Sequence, residues 1–140
     1  MRKLFLITMI IPVALLASCD ANKGTQKKGG DGTEQQAPAI QNIGQTEALP
    51  MLNDTNVVTI DVRTSGEVLE GYIDGADLFI DVNGDFKSQI ATLDKSKTYL
   101  VYCRSGGRSS TAAKMMEAEG FNSIYNLSGG ISSWSGPVKP

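Results

Sequence analysis

Four short runs of nearly continuous apolar character constrain this chain most: "NVVTIDV" (56–62), "DLFIDV" (77–82), "TYLVYC" (98–103) and "SIYNL" (123–127). Runs this short and this β-branched suit strands buried on both faces. The segments between them read as helices. "TSGEVLEG" has Thr64 and Glu67 at capping-box spacing and Gly71 as a stop. "GDFKSQIATL" puts Phe86, Ile90 and Leu93 on one helical face, and "RSSTAAKMMEAEG" is rich in helix formers and closed by Gly120. "QTEALPML" predicts a short helix weakened by Pro50, and "GGISSW" begins a last short one. Strands alternating with helices predict an α/β domain: a central, mostly parallel sheet of four to five strands with helices on both faces. In such sheets, sites form where strand C-termini meet the following loops.

Cys103 stands at such a point, followed by "RSGGRSS". A thiol reacts as its thiolate, and an ordinary cysteine is mostly protonated at neutral pH. Histidine is the common activator, but the chain contains none, so every Cys–His mechanism is excluded. The remaining route is a cradle of backbone N–H groups at a helix N-terminus. Gly106 and Gly107 let successive N–H groups turn inward. The helix beginning near Arg108 or Ser109 aims its positive end at the loop, and Arg104 and Arg108 add charge. Residues Arg104, Ser105, Gly106, Gly107, Arg108 and Ser109 therefore form a candidate anion-binding loop around a candidate nucleophile, Cys103.

The start of the chain has a different character. "MRKLFLITMIIPVALLASC" opens on Arg2 and Lys3, runs apolar from Leu4 to Leu16 and ends in small residues. That is the layout of an export signal, too short for a comfortable membrane span. "LASC" (16–19) resembles the lipobox of bacterial lipoproteins. That resemblance implies a signal peptide over 1–18, lipidation of Cys19 and an anchor on a bacterial membrane, with the domain at the periplasmic or surface face of the cell envelope. Residues 20–42 are Gly-, Lys-, Gln- and Asn-rich and lack large apolar groups. They are expected to be a flexible tether, the folded domain running from 43 to 140. Without Arg2 and Lys3 the formal charge falls from −2 to −4. No basic stripe appears, which argues against nucleic-acid binding. With Cys19 lipidated, Cys103 is the one remaining thiol, so no internal disulfide forms.

Three stretches together resemble the rhodanese-like sulfurtransferases over about residues 43–137. They are "VVTIDVRTSGEVLEGYIDGA", "YLVYCRSGGRSS" and "NLSGGISSW". The resemblance implies that Cys103 accepts a sulfane sulfur as a persulfide and hands it to a thiophile. It implies that the N–H groups from Arg104 to Ser109 hold that persulfide, that Arg104 helps bind an anionic, thiosulfate-like donor, and that Arg108 closes the loop. Asp61 and Arg63 would brace the site from behind, while Gly129, Gly130 and Trp134 would serve turns and packing. The acceptor would be an external thiol, cyanide or a partner protein. No cofactor or metal is implied, and the chain is expected to be a monomer. The family usually has His and Pro where this chain has Tyr72 and Asp74, which predicts a changed local hydrogen bond with intact chemistry.

Two other functions fit parts of the pattern. A non-catalytic rhodanese-like interaction module would use the same fold, although such copies typically lose the cysteine. A phosphatase or arsenate reductase would use a Cys-to-Arg loop with five intervening residues, whereas Cys103 and Arg108 are separated by four. A thiol–disulfide oxidoreductase would need a resolving cysteine.

Overall fold

A computed structural model describes residues 39–140. The chain forms β1 (Ile40–Ile43), α1 (Gln45–Met51), β2 (Val57–Asp61), α2 (Ser65–Leu69), β3 (Tyr72–Ile73) and β4 (Leu78–Phe79). It continues with α3 (Phe86–Ile90), β5 (Thr98–Tyr102), α4 (Gly107–Ala118), β6 (Ile124–Leu127), a 3-10 turn (Gly130–Ser133) and β7 (Val138–Lys139). Five strands make one sheet in the order β1-β6-β5-β2-β4, and every neighbouring pair is parallel. β3 and β7 pair antiparallel as a separate two-stranded ribbon.

β5 is the central strand, and its apolar continuity follows from that position. Tyr99, Leu100, Val101 and Tyr102 are all buried, because helices cover both faces. On one face Ile60, Val62 and Val101 pack with Phe86 and Ile90 of α3 and Ala112, Ala113 and Met116 of α4. On the other, Leu100, Tyr102 and Leu127 pack with Ala48 of α1 and Ile73. Each large apolar side chain so buried contributes about 1.5–3 kcal/mol relative to exposure. Alternation along β5 and β2 thus decides which residues face which helices, and it leaves both strand ends free to enter the same loop region.

The sheet begins earlier than the sequence predicts. Residues 40–42 were expected in the tether, but Ile40 pairs with Ile124 and Asn42 with Asn126 in the β1–β6 ladder. Asn126 Nδ2 donates to Asn42 Oδ1 at 2.8 Å, and Ser128 N–H donates to the Ile43 carbonyl. "IQNI" carries two apolar residues around two exposed polar ones, the composition of an edge strand, which looks like linker until a partner strand is present. The expected signal peptide, the lipidation site Cys19 and the tether up to residue 38 lie outside the described residues. Among the described residues, no helix is long and apolar enough to cross a membrane.

Candidate active site

Cys103 follows the last residue of β5 and is buried, 1% exposed. The chain then reverses through Arg104 and Ser105 into Gly106, whose φ of +99° is closed to most side chains. α4 starts at the next residue and runs for 12 residues. The sulfur therefore sits under a helix N-terminus. Gly106 N–H donates to Cys103 Sγ at 3.1 Å, and the Ser109 hydroxyl reaches it at 3.5 Å. Ser109 Oγ also lies 3.1 Å from the Gly106 carbonyl. A hydroxyl has a single proton, so it goes to the carbonyl while the thiol is neutral and to the sulfur once that is charged. Burial is the largest influence on the thiol and pushes its pKa up. The Ser109 hydroxyl and the N–H groups of Ser109, Gly106 and Ser105 together outweigh it, so the pKa falls below that of an ordinary cysteine. A histidine-free chain thus activates its thiol with backbone and hydroxyl donors.

The two loop arginines part company. Arg104 is exposed and lines a hollow of about 220 Å³ with Arg63, Glu67, Glu70, Gly71, Ile131 and Ser132. Arg108, expected among the substrate-binding groups, instead grips Glu67 of α2 in both directions, Nη1–Oε2 2.7 Å and Nη2–Oε1 2.6 Å. Its guanidinium bonds hold Glu67 down at about 2, against burial that pushes the carboxyl up. The Thr64 hydroxyl and N–H cap the same carboxylate. Arg108 is therefore the strut between α4 and α2. Sequence reasoning saw Glu67 only as a helix cap. Its second role was readable in one respect: a first-turn glutamate in the loop after β2 lies across the strand ends from the loop after β5.

Asp61 and Arg63 form a buried ion pair at the end of β2. Both are buried, and Arg63 Nη2 meets Asp61 Oδ2 at 2.6 Å. Arg63 also donates to the carbonyls of Glu67 at 3.2 Å and Gly71 at 2.8 Å, which fixes α2 over the end of β2. Gly129 and Gly130 press on the Cys103 loop itself. Ile131 N–H donates to the Cys103 carbonyl and Ser132 N–H to the Arg104 carbonyl, both at 2.9 Å. Gly130 stands at φ +55°, and a Cβ there would fall on the Cys103 carbonyl oxygen. Trp134 packs in the opposite core with Leu100 and Leu127, as a packing residue should. Another hollow, of about 620 Å³, opens around Asp54, Asp77, Leu78, Lys97 and Tyr99 at the other end of the strands and contains no thiol.

Residues 44–137 match the Rhodanese-like domain family. This chain belongs to that family. The rhodanese-like domain is 41% identical over 87 residues to YtwF of Bacillus subtilis strain 168, covering 62% of this chain and 82% of that protein. It is 33% identical over 98 residues to a sulfurtransferase of Allochromatium vinosum, covering 69% and 89%. It superposes with a TM-score of 0.62 on a rhodanese-like domain protein from Staphylococcus aureus, at 28% identity, covering 71% of this chain and 96% of that one.

The departures from the family pattern have local replacements in this rhodanese-like domain. Tyr72 packs edge-on against Phe79, ring centroids 4.9 Å apart. Asp74 pairs with Lys139 of β7 at 2.6 Å. Between them, Ile73 N–H donates to the buried Tyr102 hydroxyl at 3.1 Å. Residues 72–74 are thus tied to β5 one residue before Cys103, by groups other than His and Pro.

Proposed function

We propose that the protein is a sulfurtransferase in which Cys103 carries a sulfane sulfur from an anionic, thiosulfate-like donor to a thiophilic acceptor. The observation that carries the reading is the donor set on Cys103 Sγ: Gly106 N–H at 3.1 Å and the Ser109 hydroxyl at 3.5 Å, at the N-terminus of α4. In the first step the Cys103 thiolate attacks the outer sulfur of thiosulfate. The S–S bond of the donor breaks, its electron pair leaves with sulfite, and a Cys103 persulfide remains. In the second step cyanide or a thiolate attacks the outer sulfur of the persulfide, and Cys103 leaves as thiolate. The charge that develops on sulfur stays within the ring of donors throughout. Arg104, exposed at the mouth, attracts the donor. Arg108 acts through the loop's shape, because its charge is matched by Glu67. That pairing also disfavours a phosphatase or arsenate reductase, which needs its loop arginine on the oxyanion. The names of relatives support the class: the Allochromatium protein is a sulfurtransferase, and a Shewanella oneidensis relative, 28% identical over 96 residues, is a thiosulfate sulfurtransferase.

The "LASC" sequence supports attachment to a bacterial membrane through lipidated Cys19 at the periplasmic or surface face of the envelope. Replacing Cys19 by Ser and following fractionation in the native host tests this, since unchanged membrane association of the variant refutes it. The chemistry is tested by intact mass spectrometry after thiosulfate exposure. Wild type gains one sulfur, and Cys103→Ser gains none and has no thiosulfate:cyanide activity while keeping its fold. A wild-type thiol that never gains sulfur moves the assignment to an interaction module.

A further inference from the structure

Part of the exposed apolar surface gathers beside α2. Among the described residues four large apolar side chains are exposed, and two of them, Leu69 at 83% and Phe79 at 44%, line a single hollow of about 420 Å³. Arg63, Ser65, Val68, Asp81 and Gln89 complete it. Arg63 also lines the polar hollow that holds Arg104, so the two adjoin across α2. Leu69 is the last residue of its helix, and Phe79 lies on the edge strand β4, where Tyr72 packs against its ring edge-on and leaves the rest of it exposed. Apolar side chains gathered at one site, rather than scattered, mark a place where something docks.

The charge around this hollow selects the occupant. Arg63 is neutralised by Asp61, and Arg108 by Glu67. Asp81, on the hollow itself, has no ion pair among the described residues, while on the adjoining hollow the unpaired Glu70 and Arg104 offset each other. The groove is therefore apolar with one unmatched carboxylate, Asp81, complementary to an apolar segment carrying lysine or arginine. A persulfide on Cys103 also needs an outside thiophile, a thiol among them, because with Cys19 lipidated the sequence contains no other cysteine. Two apolar anchors fall well short of the area a stable dimer buries, about 1,200 Å² or more, but they suit a transient encounter.

We propose that the hollow between α2 and β4 is an acceptor-docking site, taking a protein segment whose cysteine is flanked by apolar and basic residues. The inference rests on Cys103 being the sulfur carrier. The segment's thiolate attacks the outer sulfur of the Cys103 persulfide, the persulfide S–S bond breaks toward Cys103, and the segment departs as a persulfide. No outside oxidant or reductant enters.

The test uses the full-length protein loaded with thiosulfate and discharged three ways. The acceptors are cyanide, the peptide acetyl-Lys-Leu-Cys-Leu-Lys-amide and the peptide acetyl-Glu-Ser-Cys-Ser-Glu-amide. The basic apolar peptide is expected to discharge the persulfide about tenfold faster than the acidic one, the scale of one apolar side chain buried on docking. Leu69→Ser should remove most of that advantage and leave the cyanide rate unchanged. Asp81→Asn keeps the oxygen that accepts from Asn83 N–H and removes the charge. It should slow the basic peptide about two- to fivefold at low salt and flatten its salt dependence. Equal rates for the two peptides, or no effect of Leu69→Ser, overturn the docking site while cyanide turnover keeps the carrier reading intact. Sedimentation that finds a dimer abolished by Leu69→Ser overturns it in favour of a second copy. Failure of Cys103 to load sulfur overturns both readings together.

Discussion

Replacing Glu67 by Gln isolates the strut that holds the Cys103 loop to α2. Glutamine is nearly isosteric, and at the third helical position it still accepts from the Thr64 N–H and hydroxyl, so the capping box survives. What disappears is the charge opposite Arg108. An ordinary glutamate titrates near about 4.3, and Glu67 is held at about 2; taken at face value the difference corresponds to about 3 kcal/mol. The two side chains are 20% and 30% exposed, so solvent screens the pair, and exposed pairs typically contribute below about 1 kcal/mol. A bidentate, half-covered pair lies between these limits, at about 1–2 kcal/mol.

The assay is urea unfolding of wild type and Glu67→Gln across pH. Near neutral pH the variant should be less stable by that amount, a melting temperature lower by about 5–10 °C for a domain of this size. The sign with pH follows from a depressed folded-state pKa. The carboxylate's contribution is complete above the unfolded value near 4.3 and is lost as pH falls through about 2, because the unfolded chain takes up the proton first. The wild-type advantage should therefore shrink from about pH 5 downward and vanish only near about pH 1, below both pKa values. A gap that stays at its neutral-pH size at pH 2, or none at pH 7, refutes the strut. Arg108→Ala in the Glu67→Gln background should then cost less than it does in wild type.

Other outcomes follow from single contacts. Ser109→Ala should shift the pH midpoint of Cys103 alkylation upward, since it removes the hydroxyl that helps hold the thiolate; an unchanged midpoint would leave the N–H groups as the whole cause. Gly130→Ala puts a Cβ on the Cys103 carbonyl and within 2.7 Å of the Arg104 carbonyl, so it should cost about 2–4 kcal/mol in melting experiments and lower kcat. A chain starting at Ala39 should keep its melting temperature, whereas one starting at Gly44 loses β1 and should melt several degrees lower. Equal melting of both would make the edge strand dispensable.

The position of Cys103 and its surroundings were legible because each depends on local chemistry. A cysteine at the end of a buried strand, two glycines and a helix start place N–H groups on sulfur by chain geometry alone, and Gly106 and Ser109 do so. The parallel sheet was legible because central strands must be apolar on both faces, as 99–102 are. Asp61 and Arg63 were reached through the family resemblance, and the structure pairs them at the end of β2. What depended on distant partners was not legible. β1 is a strand only because β6 offers it hydrogen bonds, and its own residues would serve equally in a linker. β3 and β7 are two residues each, and Lys139 reaches Asp74 only after the C-terminus folds back. Arg108 and Glu67 are 41 positions apart, and nothing local distinguishes an arginine aimed at a substrate from one aimed at a carboxylate. Sequence alone placed a single thiol of the described residues at a strand end beneath a helix N-terminus, where Gly106 N–H and the Ser109 hydroxyl reach its sulfur. Tertiary packing decided which arginine stays available to an anion, because opposite charges brought within reach pair with each other first.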